Sequence, residues 1–241
     1  MGIYVNYEFF DIGSDITLVL LHGWGQNMSM MKPIANKYLE CFNILNIDLP
    51  GFGESDEPNF VWSIYEYANI VKKLVDSLKI KKVILIGHSF GGKVSLVYAS
   101  LYKVEKLVCF ASPYCKELKK LPLKNRIYKK IKLVPGLGWL ARIMRNKIGS
   151  TDYKNASEVM RGVLVKSVNL DLTDDVKKIK CPTLLVWGTN DTAVPINRAY
   201  ELEKLIDDVG VVKYEGATHY AYLERINHLI TVMDSFFKVR R

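Results

Sequence analysis

The chain has 241 residues, 49% of them hydrophobic and 24% charged, with a formal net charge of +9. This length suits one domain with room for an insertion, and the balance excludes an intrinsically disordered chain. The first ten residues carry neither the basic segment nor the apolar run of a signal peptide, and no apolar stretch approaches the roughly 20 residues that cross a bilayer. A cytoplasmic protein without membrane insertion is expected.

In chain order, strand-length apolar runs are predicted over residues 3–9, 16–21, 42–47, 82–86, 106–110, 183–187 and 211–214. Helical spacing alternates with them over residues 29–39, 63–78, 90–101, 196–206 and 222–237. Val83-Ile84-Leu85-Ile86 and Leu184-Leu185-Val186-Trp187 are apolar without interruption, as strands covered on both faces are. The alternation predicts an α/β fold: a mostly parallel central sheet with helices on both faces.

Residues 113–170 break this rhythm. They contain no comparable strand run, and helical spacing recurs at Ala156, Val159, Met160, Val163 and Leu164. A helical insertion is expected, splitting the core into residues 1–112 and 171–241, because structureless loops above roughly 15 residues are uncommon. The insertion holds 14 basic and 3 acidic residues, whereas the rest of the chain holds 20 and 22. The net positive charge therefore belongs to the insertion. It reads either as a solvated helical face or as a field that attracts an acidic partner. No nucleic-acid-binding motif accompanies it, so nucleic acid is not an expected partner.

Cys41, Cys109, Cys115 and Cys181 show neither CxxC spacing nor a pairing with histidine suited to zinc, and are expected to be buried free thiols.

Gly87-His88-Ser89-Phe90-Gly91 follows a predicted strand and precedes a predicted helix. A serine hydroxyl is a weak nucleophile until a base takes its proton, and acyl transfer also needs donors for the developing oxyanion. G-x-S-x-G in a strand-turn-helix context holds a serine in a strained turn, with glycines at 87 and 91 letting the turn close without clashing, and the base must come from elsewhere. The Phe90 N–H then lies at a helix N-terminus, and the Trp24 N–H in Leu20-Leu21-His22-Gly23-Trp24-Gly25-Gln26 is the candidate second donor. The four histidines are His22, His88, His219 and His228. His22 suits bracing its own loop, His88 is expected to point away from the site, and His228 lies in the final helix. His219, on a loop after a strand, is the candidate base. Asp191, just beyond the 183–187 strand, is the candidate orienting acid, with helix or turn capping as its ordinary alternative. The order Ser89, Asp191, His219 is the one expected for a serine elbow on such a sheet.

Together, His22-Gly23-Trp24-Gly25, Asp48-Leu49-Pro50-Gly51-Phe52-Gly53-Glu54-Ser55, Gly87-His88-Ser89-Phe90-Gly91-Gly92, Trp187-Gly188-Thr189-Asn190-Asp191 and Gly216-Ala217-Thr218-His219 resemble the α/β-hydrolase fold superfamily. The resemblance implies that residues 113–170 form a helical cap over the site and that Asp48 to Ser55 is a structural loop beside it. Serine at the elbow speaks against haloalkane dehalogenases and epoxide hydrolases, which use aspartate there. The implied function is a serine hydrolase of carboxylic esters, acting on a small-molecule ester without metal or organic cofactor.

Three alternatives stay open. His22-Gly23-Trp24-Gly25-Gln26-Asn27 and the Asp48 stretch are similar to methyl-esterases of pimeloyl groups on acyl carrier protein, whose cap holds an acidic partner. Carbon–carbon hydrolases of ring-cleavage products share the layout, but their elbow commonly has asparagine before the serine. A binding scaffold without activity is the non-enzyme alternative. Trp139, Leu140, Ile143 and Met144 either line a substrate pocket or pack the cap helices.

Overall fold

The computed structural model describes residues 2–116, 153, 154 and 156–239. Among them seven strands form one sheet: β1 (Tyr7–Phe10), β2 (Ile16–Leu21), β3 (Asn43–Ile47), β4 (Lys82–His88), β5 (Lys106–Phe110), β6 (Thr183–Gly188) and β7 (Val209–Tyr214). Their order is β1-β3-β2-β4-β5-β6-β7, and every pairing is parallel except β1 with β3. The α-helices that concern the sheet and the site are α1 (Lys32–Tyr38), α2 (Ile64–Ser77), α3 (Ser89–Leu101), α4 (Glu158–Asn169), α5 (Thr173–Val176), α6 (Asn197–Glu203), α7 (Ala221–Glu224) and α8 (Ile226–Phe237).

The uninterrupted apolar strands serve two cores at once. Val83 and Leu85 pack with Val71, Val94 and Val97 on the face covered by α2 and α3, while Ile84 and Ile86 pack with Ile34, Leu229 and Met233 on the face covered by α1 and α8. Successive strand residues alternate faces, so a strand buried on both must be apolar throughout. This is the mostly parallel α/β sheet with helices on both faces that the alternation predicts.

Where the elements differ from expectation, two differences have a clear physical cause. Residues 3–6 do not extend β1, because they bond to the loop after β3 instead: the Tyr4 N–H donates to the Asp56 carboxylate at 2.9 Å and the Asn6 N–H to the Ser55 hydroxyl at 2.8 Å. The expected final helix is two, since Arg225 leaves helical torsions (φ −123°, ψ 31°) between α7 and α8. Cys109 and Cys181 are buried, and burial pushes their thiols up to about 12 and 11. Cys41 and Cys115 are only half-buried, which corrects the expectation of four buried thiols.

Of the 113–170 segment, α4 is described, and Trp139, Leu140, Ile143 and Met144 lie outside the described residues. The end of α4 is anchored by Lys93 on α3, a fully buried side chain whose ammonium donates to the carbonyls of Ser167 at 2.7 Å and Leu170 at 2.8 Å. A cation at a helix C-terminus meets carbonyls that have no intrahelical donor. Burial nevertheless pushes this ammonium down to about 8. Among the described residues no helix is long and apolar enough to cross a membrane.

Candidate active site

The site residues gather at the C-terminal edge of the sheet. β4 ends at His88 and α3 begins at Ser89, so the chain reverses within one residue, and Ser89 adopts the left-handed torsion φ 50°. For a residue with a Cβ this backbone is strained by about 1–2 kcal/mol. Its neighbours explain the two glycines. A Cβ on Gly87 would lie 2.5 Å from the Gly91 carbonyl oxygen, and one on Gly91 would lie 2.4 Å from the His22 carbonyl oxygen. The Gly91 N–H donates to that same oxygen at 3.0 Å, tying the start of α3 to the loop after β2.

Gly91→Ala should therefore lower stability by about 1–3 kcal/mol, because the clash is with backbone that cannot rotate aside. A chemical-denaturation midpoint equal to the parent's would show that the two segments are not in this contact.

The loop after β2 brings Trp24 beside the elbow. The Trp24 ring meets Phe90 edge-on at 5.2 Å and Phe52 at 4.9 Å, so the indole packs under the loop. Phe90 lies in the first turn of α3, where an N–H has no intrahelical acceptor. His22 braces this loop: its Nε2 accepts from the Leu49 N–H at 3.0 Å, so its Nδ1 carries the proton and donates to the Gly23 carbonyl at 2.7 Å. Burial pushes His22 down to about 4, which keeps that arrangement neutral. The Asp48 carboxylate ties the flanking loop together, accepting from the Met28 N–H at 2.7 Å, the Asn6 amide at 2.8 Å and the Glu54 N–H at 3.0 Å.

Beyond β6 and β7 the structure brings Asp191 and His219 together. Asp191 Oδ2 accepts from His219 Nδ1 at 2.7 Å, while Oδ1 accepts the N–H groups of Ala193 and Val194, both at 2.8 Å. The turn role and the histidine contact thus coexist on one carboxylate, whose side chain is fully shielded from solvent. The two loops are cross-tied, with Asn190 N–H to the Ala217 carbonyl at 2.9 Å and Gly216 N–H to Thr189 Oγ1 at 2.9 Å. Thr218, next to His219, is held by Glu224 at the end of α7. His228 is bonded instead to the Tyr214 hydroxyl at 3.1 Å.

His88 does not point away from this centre. Its ring packs against His219 with centroids 4.8 Å apart, and its Nε2 lies 3.1 Å from the His219 carbonyl oxygen. The reason is strand alternation: His88 shares the face of Ile84 and Ile86, and the chain crosses that face as it runs from His219 into α7 and α8. Gln26 and Tyr220 join the same cluster through a 3.2 Å hydrogen bond. The sequence signals for both are proximity alone: Gln26 follows the glycine-tryptophan loop, and Tyr220 follows His219.

A cavity of about 620 Å³ runs along α4 beside Tyr153, Arg161 and Val165, and neither Ser89 nor His219 lines it. Among the described residues, no group of three or more His, Cys, Asp or Glu side chains could hold a metal ion.

The model of the alpha/beta hydrolase family matches residues 18–226, which is most of the chain. The chain belongs to that family. This hydrolase is 28% identical over 222 residues to a pimeloyl-[acyl-carrier protein] methyl ester esterase of Wigglesworthia glossinidia brevipalpis, covering 80% of the chain and 82% of the relative. Among solved structures, the enol-lactonase from Burkholderia xenovorans LB400 aligns with a TM-score of 0.78 at 21% identity, over 98% of this chain and 97% of the other. A meta-cleavage product hydrolase from Pseudomonas fluorescens IP01 aligns with a TM-score of 0.75 at 19% identity, over 98% and 95%. These two structural likenesses establish the shared fold.

Proposed function

We propose that this hydrolase cleaves carboxylic esters through an acyl-enzyme formed on Ser89. The observation that carries the reading is the 2.7 Å contact from His219 Nδ1 to Asp191 Oδ2, beside an elbow that holds Ser89 at φ 50°. That contact fixes the proton on Nδ1 and leaves Nε2 as the acceptor for the Ser89 hydroxyl proton. Ser89 Oγ attacks the ester carbonyl, and the Trp24 and Phe90 N–H groups take the developing negative charge. Protonated His219 then gives its Nε2 proton to the leaving alcohol. Water, deprotonated by the same nitrogen, attacks the acyl-enzyme and releases the acid and free Ser89. The segment 113–170 is the cap under which substrate enters.

A fluorophosphonate probe with a panel of p-nitrophenyl esters of increasing chain length tests this reading. Covalent labelling at Ser89 with turnover of the esters is expected. An unlabelled, inactive protein would favour the binding-scaffold alternative.

A second reading assigns the physiological ester or thioester to acyl carrier protein. It is supported by the excess of basic residues at 113–170 and by the similarity to an esterase of that class. Activity on acyl-carrier-protein esters should then fall steeply from low to moderate salt while activity on p-nitrophenyl esters holds, because the Debye length is already about 10 Å at 0.1 M. Equal salt dependence for both substrates would exclude the acidic partner. Hydrolysis of ring-cleavage products has less support, since His88 stands where those enzymes commonly carry asparagine.

A further inference from the structure

Two hydrogen bonds cross between the loops of the site, and neither the nucleophile nor the base requires them for its own chemistry. His88 Nε2 faces the His219 carbonyl oxygen at 3.1 Å, and a carbonyl only accepts, so Nε2 carries a proton and donates. His88 Nδ1 is then unprotonated and lies 3.3 Å from Gln26 Oε1, which is also an acceptor, so the two are in contact without a hydrogen bond. The Gln26 amide accepts the Gly23 N–H at 3.0 Å and donates to the Tyr220 hydroxyl at 3.2 Å, and Tyr220 is covalently next to His219. The loop that carries Trp24 is therefore tied through Gln26 to Tyr220, and the elbow is tied through His88 Nε2 to the carbonyl of His219. His88 itself immediately precedes Ser89.

We infer that His88, Gln26 and Tyr220 are positioning residues: they lock the loop of the oxyanion donor and the loop of the base to each other and to the elbow, so that all three move as one unit. This deepens the proposed esterase mechanism and rests on it. The groups facing His88 suit such a role. Its ring lies between His219 at 4.8 Å, Tyr222 at 4.8 Å and Tyr220 at 5.4 Å, with His22 the other histidine whose charge it feels. Burial, with His219 adding to it, pushes His88 down to about 3. A neutral ring there keeps donating from Nε2 to the His219 carbonyl, and it places no second cation against His219 when that residue takes the Ser89 proton.

The alternative is that His88 only fills space beneath Tyr222, and the two roles separate in kinetics. His88→Leu keeps approximate volume and removes the donor. It should lower kcat for p-nitrophenyl butyrate by about 100-fold with KM changed less than about threefold, since misplacement of a catalytic group by about 1 Å costs that much. His88→Gln, whose amide nitrogen can reach the position of Nε2, should recover at least tenfold of the loss. A folded His88→Leu with kcat within threefold of the parent would overturn the inference, as would a Gln variant no faster than Leu.

If His88→Leu does not fold, Gln26→Leu and Tyr220→Phe carry the test, because Gln26 is half-buried and Tyr220 is 40% exposed. Each should lower kcat severalfold, and the double variant should lose no more than the worse single. Losses that multiply would mean that Gln26 and Tyr220 do not act as one tie and would overturn the inference. Labelling of the parent by the fluorophosphonate probe keeps this separate from the esterase reading: an unlabelled parent fails that reading, and a labelled parent indifferent to these substitutions fails only this one.

Discussion

Ser89→Ala should lower turnover of a short p-nitrophenyl ester by several orders of magnitude, approaching the roughly 10⁶-fold loss seen when a triad nucleophile is removed elsewhere. Alanine keeps the Cβ and therefore the strain at φ 50°, so the variant is expected to fold with the parent's midpoint. Residual rate above the uncatalysed reaction is also expected, because the Trp24 and Phe90 amides would still polarise a bound carbonyl. The measurement is kcat with purified protein alongside circular dichroism. A Ser89→Ala protein as fast as the parent would remove Ser89 from the mechanism.

Asp191→Asn is the second large effect, and its cause is a proton in the wrong place. Asp191 uses Oδ1 for two backbone N–H groups and Oδ2 for His219. Asparagine has one oxygen, and the two N–H groups of Ala193 and Val194 claim it. Its NH₂ group then faces His219 Nδ1, which must become an acceptor, so the imidazole proton moves to Nε2. The nitrogen that should take the serine proton is then already protonated. A loss on the order of 10⁴ in kcat is expected, as in a serine-protease triad with the same exchange, with the loop geometry retained. A loss under tenfold in a folded variant would mean that Asp191 shapes the turn without orienting the base.

The strand-end motifs are legible in the sequence because each is short and bounded by glycine, so local sequence dictates where the chain must bend. Gly87 and Gly91 are readable for that reason, and the backbone contacts at 2.5 and 2.4 Å show what the absent side chains leave room for. Continuous apolar runs identify the doubly covered strands by the same local logic. What stays hidden depends on distant segments. Residues 3–6 look like strand, but their partners are Ser55 and Asp56, some fifty positions away. The burial of Lys93 follows from carbonyls of Ser167 and Leu170, more than seventy positions away, that only the fold brings near. The orientation of His88 is missed because alternation gives the face a side chain occupies and not which later loop returns across it.

The torsion at Ser89 also bears on how such a protein changes over generations. Glycine at this position would relax the backbone and remove the hydroxyl in one step, because left-handed torsion is unfavourable only for residues with a Cβ. If Ser89 is the nucleophile as proposed, selection for stability and selection for activity oppose each other at this residue. On the proposed mechanism, a descendant freed from hydrolysis has a short route to a firmer, inert protein of the same shape.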